Sequence, residues 1–572
     1  MSLAPFRRHL IVCAGLLVLA TVLRGLWLTA DPPVQPSVGV VWHDEGAWVH
    51  NARNQALFGV WRTDAWNPMF IAPVFTALET AAFEAMGVGT WQARTVPVVS
   101  GLVAIMAVML GLFAVAGWRA AALGGVLLTT NYTFVMWNRA ALMESTMTMF
   151  IVMGWAAYAH SVKRPVWGLV AGAAAVLAFF TKAASAFFVG ALLLEMVVAW
   201  WVSDRATTKS GLRSAGFTLL GLVLAGAVAL AVFVGPYWTE FQAYNWDMAV
   251  MRKPDYAFRA LVDRATWLPL THPTFMRMWL VMLAAGLAAV SSVSRWRTCH
   301  PAERLAVLWL IVGFAEVALH DSGNERRYVM FIPGFIVLAS MWLGRTDVAQ
   351  GRPSGNSWGV KTAAALVTGI LSYIIIGSGL RLVWLDDILA GDYQLTVRVS
   401  AALSSLVMAV VWFRWSVVAT WFGQHQPPLL AAGVVLVMTS GTDLMLYRQW
   451  ASTRTTMNYD ASRMLGTLLP PGTRVHGKLA NGLALENQMA PVFIGRGFGN
   501  YADRFERDDA RYILTYTQPR LGYEGSVILD VLQHYPQQRV IAEFDVDETP
   551  GLDRAALIDK FPGEPESRAR HQ

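Results

Sequence analysis

Long apolar runs, separated by short polar or basic stretches, dominate the first 447 residues of this 572-residue chain. Thirteen of these runs come close to the ~20 residues that a helix needs to cross the hydrocarbon core of a bilayer. They are 10–28, 96–116, 121–135, 146–160, 166–180, 183–201, 217–235, 276–293, 305–319, 328–343, 362–384, 397–413 and 429–446. The pattern predicts an α-helical multi-pass membrane protein with 13 transmembrane helices.

The basic residues between the runs set the expected orientation, because Lys and Arg collect in cytoplasmic loops. A cytoplasmic N-terminus puts the basic stretches on the inner side, and these lie at 119, 163–164, 205–213, 295–304 and 345–361. An odd number of spans then places the C-terminus outside. Run 70–86 would invert these loops if it spanned, so we expect an interfacial amphipathic helix within a first external loop, 29–95.

The first run follows Arg7 and Arg8 and is longer than the roughly 7–15 apolar residues of a signal peptide. We therefore predict that it is a transmembrane helix. Arg24 lies near the outer end of this run, where a long side chain can snorkel toward the interface.

The pattern changes after residue 447, where the last 125 residues hold 31 of the 83 charged residues of the chain. Strand-like runs at 473–476, 511–516 and 539–544 alternate with helix-like runs at 526–534 and 553–561. We predict a transmembrane domain over 1–447 and a small extracytoplasmic α/β domain over 448–572. We expect this domain to pack separately and to shape access of an acceptor.

The composition agrees with a membrane protein, since 55% of residues are hydrophobic and only 15% are charged. Soluble domains carry about 25% charged residues. The net charge of +7 belongs to the membrane part, so it marks cytoplasmic loops and predicts no nucleic-acid partner. The two cysteines, Cys13 and Cys299, exclude a disulfide framework and a cysteine-based metal site.

Two acidic clusters are expected at the outer surface, and a carboxylate close to the bilayer is a functional candidate by default. His43, Asp44 and Glu45 follow the first span, and Glu144 lies at the outer end of a later one. The alternative for the first cluster is a helix N-cap, Asp44, with a solvated neighbour, Glu45. The alternative for Glu144 is an interfacial ion pair with Arg139.

Two cationic clusters are predicted on the same side. Lys182 interrupts an apolar stretch, and Arg326 and Arg327 follow His320. Cations held there suit an anionic ligand such as a phosphate. The alternatives are a snorkelling lysine in an interhelical turn, and a surface network of the arginines with Asp321 and Glu325.

These four clusters carry a resemblance to a known family. The matching positions are Asp44-Glu45 followed by Trp48, Arg53, Gly59 and Trp61, then Glu144, Lys182 after Phe180-Thr181, and Arg327-Tyr328 leading to Pro333. They resemble the lipid-dependent glycosyltransferases of the GT-C superfamily, with bacterial aminoarabinose transferases and protein O-mannosyltransferases as the nearest branches. Asn67-Pro68 stands where aminoarabinose transferases have Lys-Pro, and Glu144 stands where the family usually has Asp.

The resemblance implies a bundle with an external active site in the bacterial inner membrane. It implies transfer of a sugar, with inversion, from a polyprenyl-phosphate donor to a lipid A, glycolipid or cell-surface polysaccharide acceptor. The implied catalytic residues are Asp44 as base, with Glu144 and Glu45 beside it. The implied donor-phosphate ligands are Lys182, Arg326, Arg327 and Arg53. A divalent metal held by Asp44, Glu144, His43 and His320 is left open, because some family members bind a metal and others do not.

Other functions give different expectations. A protein O-mannosyltransferase would share the site and differ in acceptor. A transporter predicts inverted repeats and charges near the middle of spans, and we find neither in the sequence. A non-catalytic scaffold predicts that Asp44→Ala and Lys182→Ala leave the phenotype intact.

Overall fold

The computed structural model describes most of the chain. The described residues are 3–33, 43–202, 208–247, 273–320, 325–344, 358–383, 394–424, 429–494, 504–517, 531–546 and 554–563.

The described part of the N-terminal region is a helical bundle. Its helices are α1 (Leu3–Gly25), α2 (His43–Trp48), α3 (His50–Phe58), α4 (Pro73–Met86), α5 (Thr90–Thr130), α6 (Tyr132–Trp137), α7 (Met143–Ser161), α8 (Trp167–Thr181), α9 (Ala186–Val202), α10 (Thr208–Ala229), α11 (Trp238–Gln242), α12 (Pro273–Arg277), α13 (Trp279–Ser294), α14 (Pro301–His320), α15 (Ile332–Leu343), α16 (Trp358–Val383), α17 (Gln394–Phe413), α18 (Trp415–Gln424) and α19 (Leu429–Thr453). Short 3-10 helices lie at Pro68–Phe70, Ala183–Ser185 and Glu325–Phe331.

Among the described residues, seven helical segments are long and apolar enough to cross a membrane, and three shorter apolar helices accompany them. Every one of the 13 predicted runs overlaps a described helix. Many large apolar side chains on these helices are exposed, including Val232, Phe413 and Met445, as lipid contact requires. A multi-pass membrane protein is therefore confirmed, whereas the number of 13 crossings and their orientation stay predictions.

Gly117 explains why two predicted runs lie on one helical segment. The runs 96–116 and 121–135 both overlap α5, and Gly117 breaks the helix between them with φ 80° and ψ −173°. An L-residue with a side chain rarely adopts such a positive φ, and glycine does so at little cost. The kink lets the chain reverse direction without a loop, so that Gly124 packs beside the side chain of Leu112.

The prediction for Arg24 is wrong, because its side chain is fully buried. Its guanidinium donates to Asn138 Oδ1 at 2.8 Å and to the carbonyls of Leu128 and Thr129 at the end of α5. A cation is favoured where a helix leaves carbonyl groups unsatisfied. Arg24 therefore joins α1 to the end of α5 inside the bundle.

The run 70–86 forms a helix as expected, α4, preceded by Pro68–Phe70. Its Phe75 and Phe83 are buried against α3 and α5. The described part of the segment between α1 and α5 is thus packed against the bundle.

The C-terminal part is a small sheet with helices α20 (Met457–Leu468) and α21 (Lys478–Gly482). Its strands are β1 (Arg474–His476), β2 (Ala490–Val492), β3 (Tyr512–Tyr516), β4 (Arg539–Asp545) and β5 (Arg554–Asp559). Their order is β2-β1-β3-β5-β4, with β2, β1 and β3 parallel and both β5 pairings antiparallel. The small α/β unit is confirmed, although α19 runs past the predicted boundary at residue 447 to Thr453.

One prediction within this unit needs correction. The run 553–561 forms β5 rather than a helix, because Ala555 to Ile558 are buried between β3 and β4 and complete both antiparallel pairings. A short apolar run of this kind fits either element by pattern alone. Strand β2 was not predicted, and most of the predicted helix 526–534 lies outside the described residues.

Candidate functional site

Asp44 lies in the first turn of α2 and contacts a distant arginine. Its Oδ2 accepts a hydrogen bond from Arg326 NH1 at 2.8 Å, although the two residues are 282 positions apart. Both side chains keep some exposure, 13% for Asp44 and 21% for Arg326. His43 Nε2 lies 3.7 Å from the other carboxylate oxygen of Asp44. The segment between α1 and α5 and the segment after α14 therefore meet at this ion pair.

Glu144 and Lys182 form the second ion pair. Glu144 lies in the first turn of α7, and Lys182 occupies the extended residue between α8 and the 3-10 helix Ala183–Ser185. Lys182 Nζ donates to Glu144 Oε1 at 2.5 Å, with the carboxylate 1% exposed and the lysine 16%. Glu144 is thus buried and paired with Lys182 rather than with Arg139.

The 3-10 helix Glu325–Phe331 joins the two ion pairs, because it packs against α7. The charge of Arg326 acts on both Glu144 and Lys182, and that of Arg327 acts on Lys182. Three cations and two carboxylates predicted from separate parts of the sequence therefore lie in one cluster. We call these five residues the ion cluster: Asp44, Glu144, Lys182, Arg326 and Arg327.

Glu316 is a member of this neighbourhood that the sequence analysis missed. It lies in α14, and its Oε1 is 3.6 Å from Arg327 NH1. An acidic residue within the apolar run 305–319 was the available signal, since a charge inside a predicted span needs a partner.

Glu45 faces a different arginine from the one that Asp44 contacts. It is 3% exposed, and Arg94 donates to its two oxygens at 2.8 and 2.6 Å. The backbone N–H of Ala141 donates to it as well, at 2.6 Å. The alternative of a solvated Glu45 is wrong, since this carboxylate is buried and anchors α2 to α5 and to the start of α7.

Arg53 binds the C-terminal domain instead of the ion cluster. Its buried guanidinium donates to the carbonyls of Ala484, Asn487 and Met489 at 2.9–3.0 Å. Burial lowers the pKa of Arg53 to about 9, which leaves it protonated at neutral pH. This side chain is therefore engaged with the C-terminal domain, apart from the ion cluster.

The described residues do not fit a bound metal ion. Asp44 and Glu144 each face a cation, Arg326 and Lys182. Within the described residues, no three His, Cys, Asp or Glu side chains are grouped as metal ligands. His320 ends α14, and its side chain lies outside the part of the chain that the structure describes.

Asn67, which replaces the lysine of the family pattern, stabilises the first external loop. Its side chain accepts from Asn51 at 2.9 Å and donates to the carbonyl of Asp64 at 3.0 Å. Its backbone N–H donates to the hydroxyl of Tyr244 at 2.9 Å. The residue is 7% exposed and holds the loop rather than presenting a charge.

Comparison with solved structures shows that this chain shares its fold with an aminoarabinose transferase, ArnT, in agreement with the predicted resemblance. ArnT from Cupriavidus metallidurans in the apo state matches with a TM-score of 0.55 at 17% identity, over 97% of this chain and 98% of that one. The same protein bound to undecaprenyl phosphate matches with a TM-score of 0.52 at 17% identity, over 99% and 100% of the two chains. An oligosaccharyltransferase from Archaeoglobus fulgidus matches at a TM-score of 0.46 and 12% identity, over 90% of this chain and 70% of that one.

No family model and no curated protein sequence matches this chain. At 17% identity, the likeness to ArnT establishes the fold, and the activity has to be argued from the residues of the site.

Proposed function

We propose that this protein is a membrane glycosyltransferase that moves a sugar from a polyprenyl-phosphate donor to an extracytoplasmic acceptor with inversion at the anomeric carbon. The observation that carries the proposal is the Asp44–Arg326 contact, which joins a carboxylate of the first loop to a cluster of three cations in a protein with the GT-C fold. ArnT has been solved with undecaprenyl phosphate bound, which supports the donor class.

Lys182, Arg326 and Arg327 are suited to stabilise the phosphate that leaves the sugar. Cleavage of the bond between the anomeric carbon and the phosphate oxygen leaves the electron pair on a polyprenyl phosphate, whose negative charge grows during the step. Fixed cations stabilise such charge most effectively where water is partly excluded. Lys182, at 16% side-chain exposure, together with Arg326 and Arg327 meets that condition.

Asp44 is suited to accept the proton that the acceptor loses. The acceptor oxygen forms the new bond to the anomeric carbon and gives its proton to a general base, and an ionised carboxylate that an acceptor can reach is suited to this role. Asp44 is 13% exposed and its contact with Arg326 favours the ionised form. Glu144 is almost completely buried, so its part is to hold Lys182 in place.

The proposal includes a bacterial inner-membrane location with 13 spans, a cytoplasmic N-terminus and an external C-terminal domain. In this arrangement both ion pairs lie at the external end of the bundle. The acceptor is a lipid A, a glycolipid or a cell-surface polysaccharide.

The direct test uses the purified protein in lipid nanodiscs with a polyprenyl-phosphate sugar and candidate acceptors, and follows release of free polyprenyl phosphate by mass spectrometry. Lipids and glycans from a deletion strain identify the acceptor. A missing sugar on a lipid or polysaccharide supports the proposal, and a missing sugar on proteins alone would favour a protein O-mannosyltransferase. Unchanged lipids, glycans and glycoproteins would reject the enzyme.

A further inference from the structure

The C-terminal domain touches the helix that carries Asp44. Gly46 lies two residues after Asp44 on α2, and a Cβ at this glycine would lie 1.8 Å from the carbonyl oxygen of Asn481 on α21. No side chain fits at such a distance, so the backbones of α2 and α21 are in direct contact. Both Gly46 and Asn481 are buried.

A second connection runs through His50, on the helix after α2. Asn481 Nδ2 lies 3.0 Å from His50 Nδ1, and His50 Nε2 lies 3.1 Å from Asp64 Oδ1. The other oxygen of Asp64 accepts from the backbone N–H of Phe493 at 2.8 Å. The first external loop is therefore held by two separate segments of the C-terminal domain, one before β2 and one after it.

A third connection is Arg53, whose guanidinium binds the carbonyls of Ala484, Asn487 and Met489. Hydrogen bonds from a charged donor are stronger than neutral ones. These contacts are buried, so water cannot replace them at low cost. The segment 481–493 is thus held in place along α2 and α3, and we call this segment the wall.

We propose that this wall positions Asp44, with Gly46 and Asn481 as the positioning residues. The inference rests on the proposed function, because it assumes that Asp44 is the base. The domain then acts on the chemical step itself, beyond any effect on acceptor access. A displacement of about 1 Å at a reacting group costs on the order of 100-fold in rate. The hydrogen bonds of the wall reach His50, Arg53 and Asp64, so their loss should disturb Asp44 before it disturbs the phosphate-binding cations.

The test is Gly46→Ala in the full-length protein in nanodiscs, with Gly441→Ala as the matched control. Gly441 is a helical glycine on α19, and a Cβ added there would meet nothing within 4 Å, so the same change introduces no clash. We expect Gly46→Ala to lower kcat at least about tenfold while the Kd for polyprenyl phosphate stays within about twofold. Gly441→Ala should match the wild type in both. Asn481→Ala removes only the side-chain contact with His50 and should lower kcat by a few fold at unchanged Kd.

The kcat and Kd values of these variants decide the inference. A normal kcat in both Gly46→Ala and Asn481→Ala would overturn it, and so would a Kd that rises in parallel with the loss of kcat, which indicates a general loss of structure. If Gly46→Ala does not fold, the Asn481→Ala result decides alone. Asp44→Asn is measured beside them: if that variant keeps full turnover, the proposed base is wrong, whereas a dead Asp44→Asn with normal wall variants rejects only the positioning role.

Discussion

Asp44→Asn separates the proton-transfer role from phosphate binding with little change in shape. The substitution removes a carboxylate that lies 2.8 Å from Arg326 NH1. Loss of a general base lowers kcat by roughly 100- to 10,000-fold. The donor phosphate should bind as well as before or more tightly, because Arg326 no longer shares its charge with a carboxylate.

Lys182→Met should weaken donor binding and turnover together, since the phosphate that this cation holds is charged in the ground state and gains further negative charge in the transition state. Loss of a hydrogen bond to a charged group costs about 1.5–3 kcal/mol, or roughly 10- to 150-fold in affinity. The structure indicates the upper part of that range, because Glu144 is 1% exposed and would remain as an unpaired charge that repels the phosphate. Adding Glu144→Gln to Lys182→Met should therefore recover part of the lost affinity.

The assay measures kcat and donor Kd separately for wild type, Asp44→Asn, Lys182→Met and the Glu144→Gln/Lys182→Met double variant. Single-turnover kinetics give the chemical step, and equilibrium binding of polyprenyl phosphate gives the affinity. Full turnover with collapsed donor affinity in Asp44→Asn would mean that the two roles have been assigned the wrong way round. A double variant weaker than Lys182→Met would contradict the proposed repulsion by Glu144.

Three further predictions concern the rest of the molecule. Glu79 is fully buried, and burial together with the charge of Glu45 raises the pKa of this carboxyl well above its usual value. Its proton is bound more tightly in the folded state, so the stability that it contributes is greatest below the unfolded-state pKa and is lost as pH rises through the folded-state pKa. Glu79→Gln should therefore flatten the change in Tm between pH 5 and pH 8. An equally steep change in the variant would contradict this. Alkaline phosphatase fused after Arg448 should be active on the extracytoplasmic side of the inner membrane, and activity confined to a cytoplasmic reporter would reverse the predicted orientation. The isolated segment 448–572 should unfold cooperatively in a circular-dichroism melt, whereas a random-coil spectrum would reject independent packing.

The sequence predicted the ion cluster better than it predicted the partners within it. Hydrophobic runs and basic loops predict that Asp44, Glu144, Lys182 and Arg326 share one side of the membrane, because membrane topology follows from local sequence patterns. The pairing of Asp44 with Arg326, 282 residues later, depends on how helices pack and has no local signal. The same limit explains why Arg139 was considered as the partner of Glu144.

Buried polar residues were the least predictable part of the fold. Arg24 and Arg53 are both fully buried and bind backbone carbonyls of distant segments. An arginine near the end of an apolar run suits snorkelling as well as burial, and only the neighbouring helices decide between them. In the C-terminal domain, the position of β5 between two other strands overrode the helix preference of its Ala and Leu residues.

Packing gives two adjacent carboxylates, Asp44 and Glu45, different surroundings. Successive helical residues point about 100° apart, so the two side chains meet different arginines. Glu45 is bound by both arms of Arg94 and by a backbone N–H, in a site where breaking the pair would leave a buried charge at a cost of about 3–5 kcal/mol. Asp44 instead accepts from Arg326 in a pair whose side chains keep 13% and 21% exposure, so this carboxylate is less completely enclosed than Glu45. The more open carboxylate, Asp44, is therefore the one that we propose as the base, whereas Glu45 remains bound to Arg94.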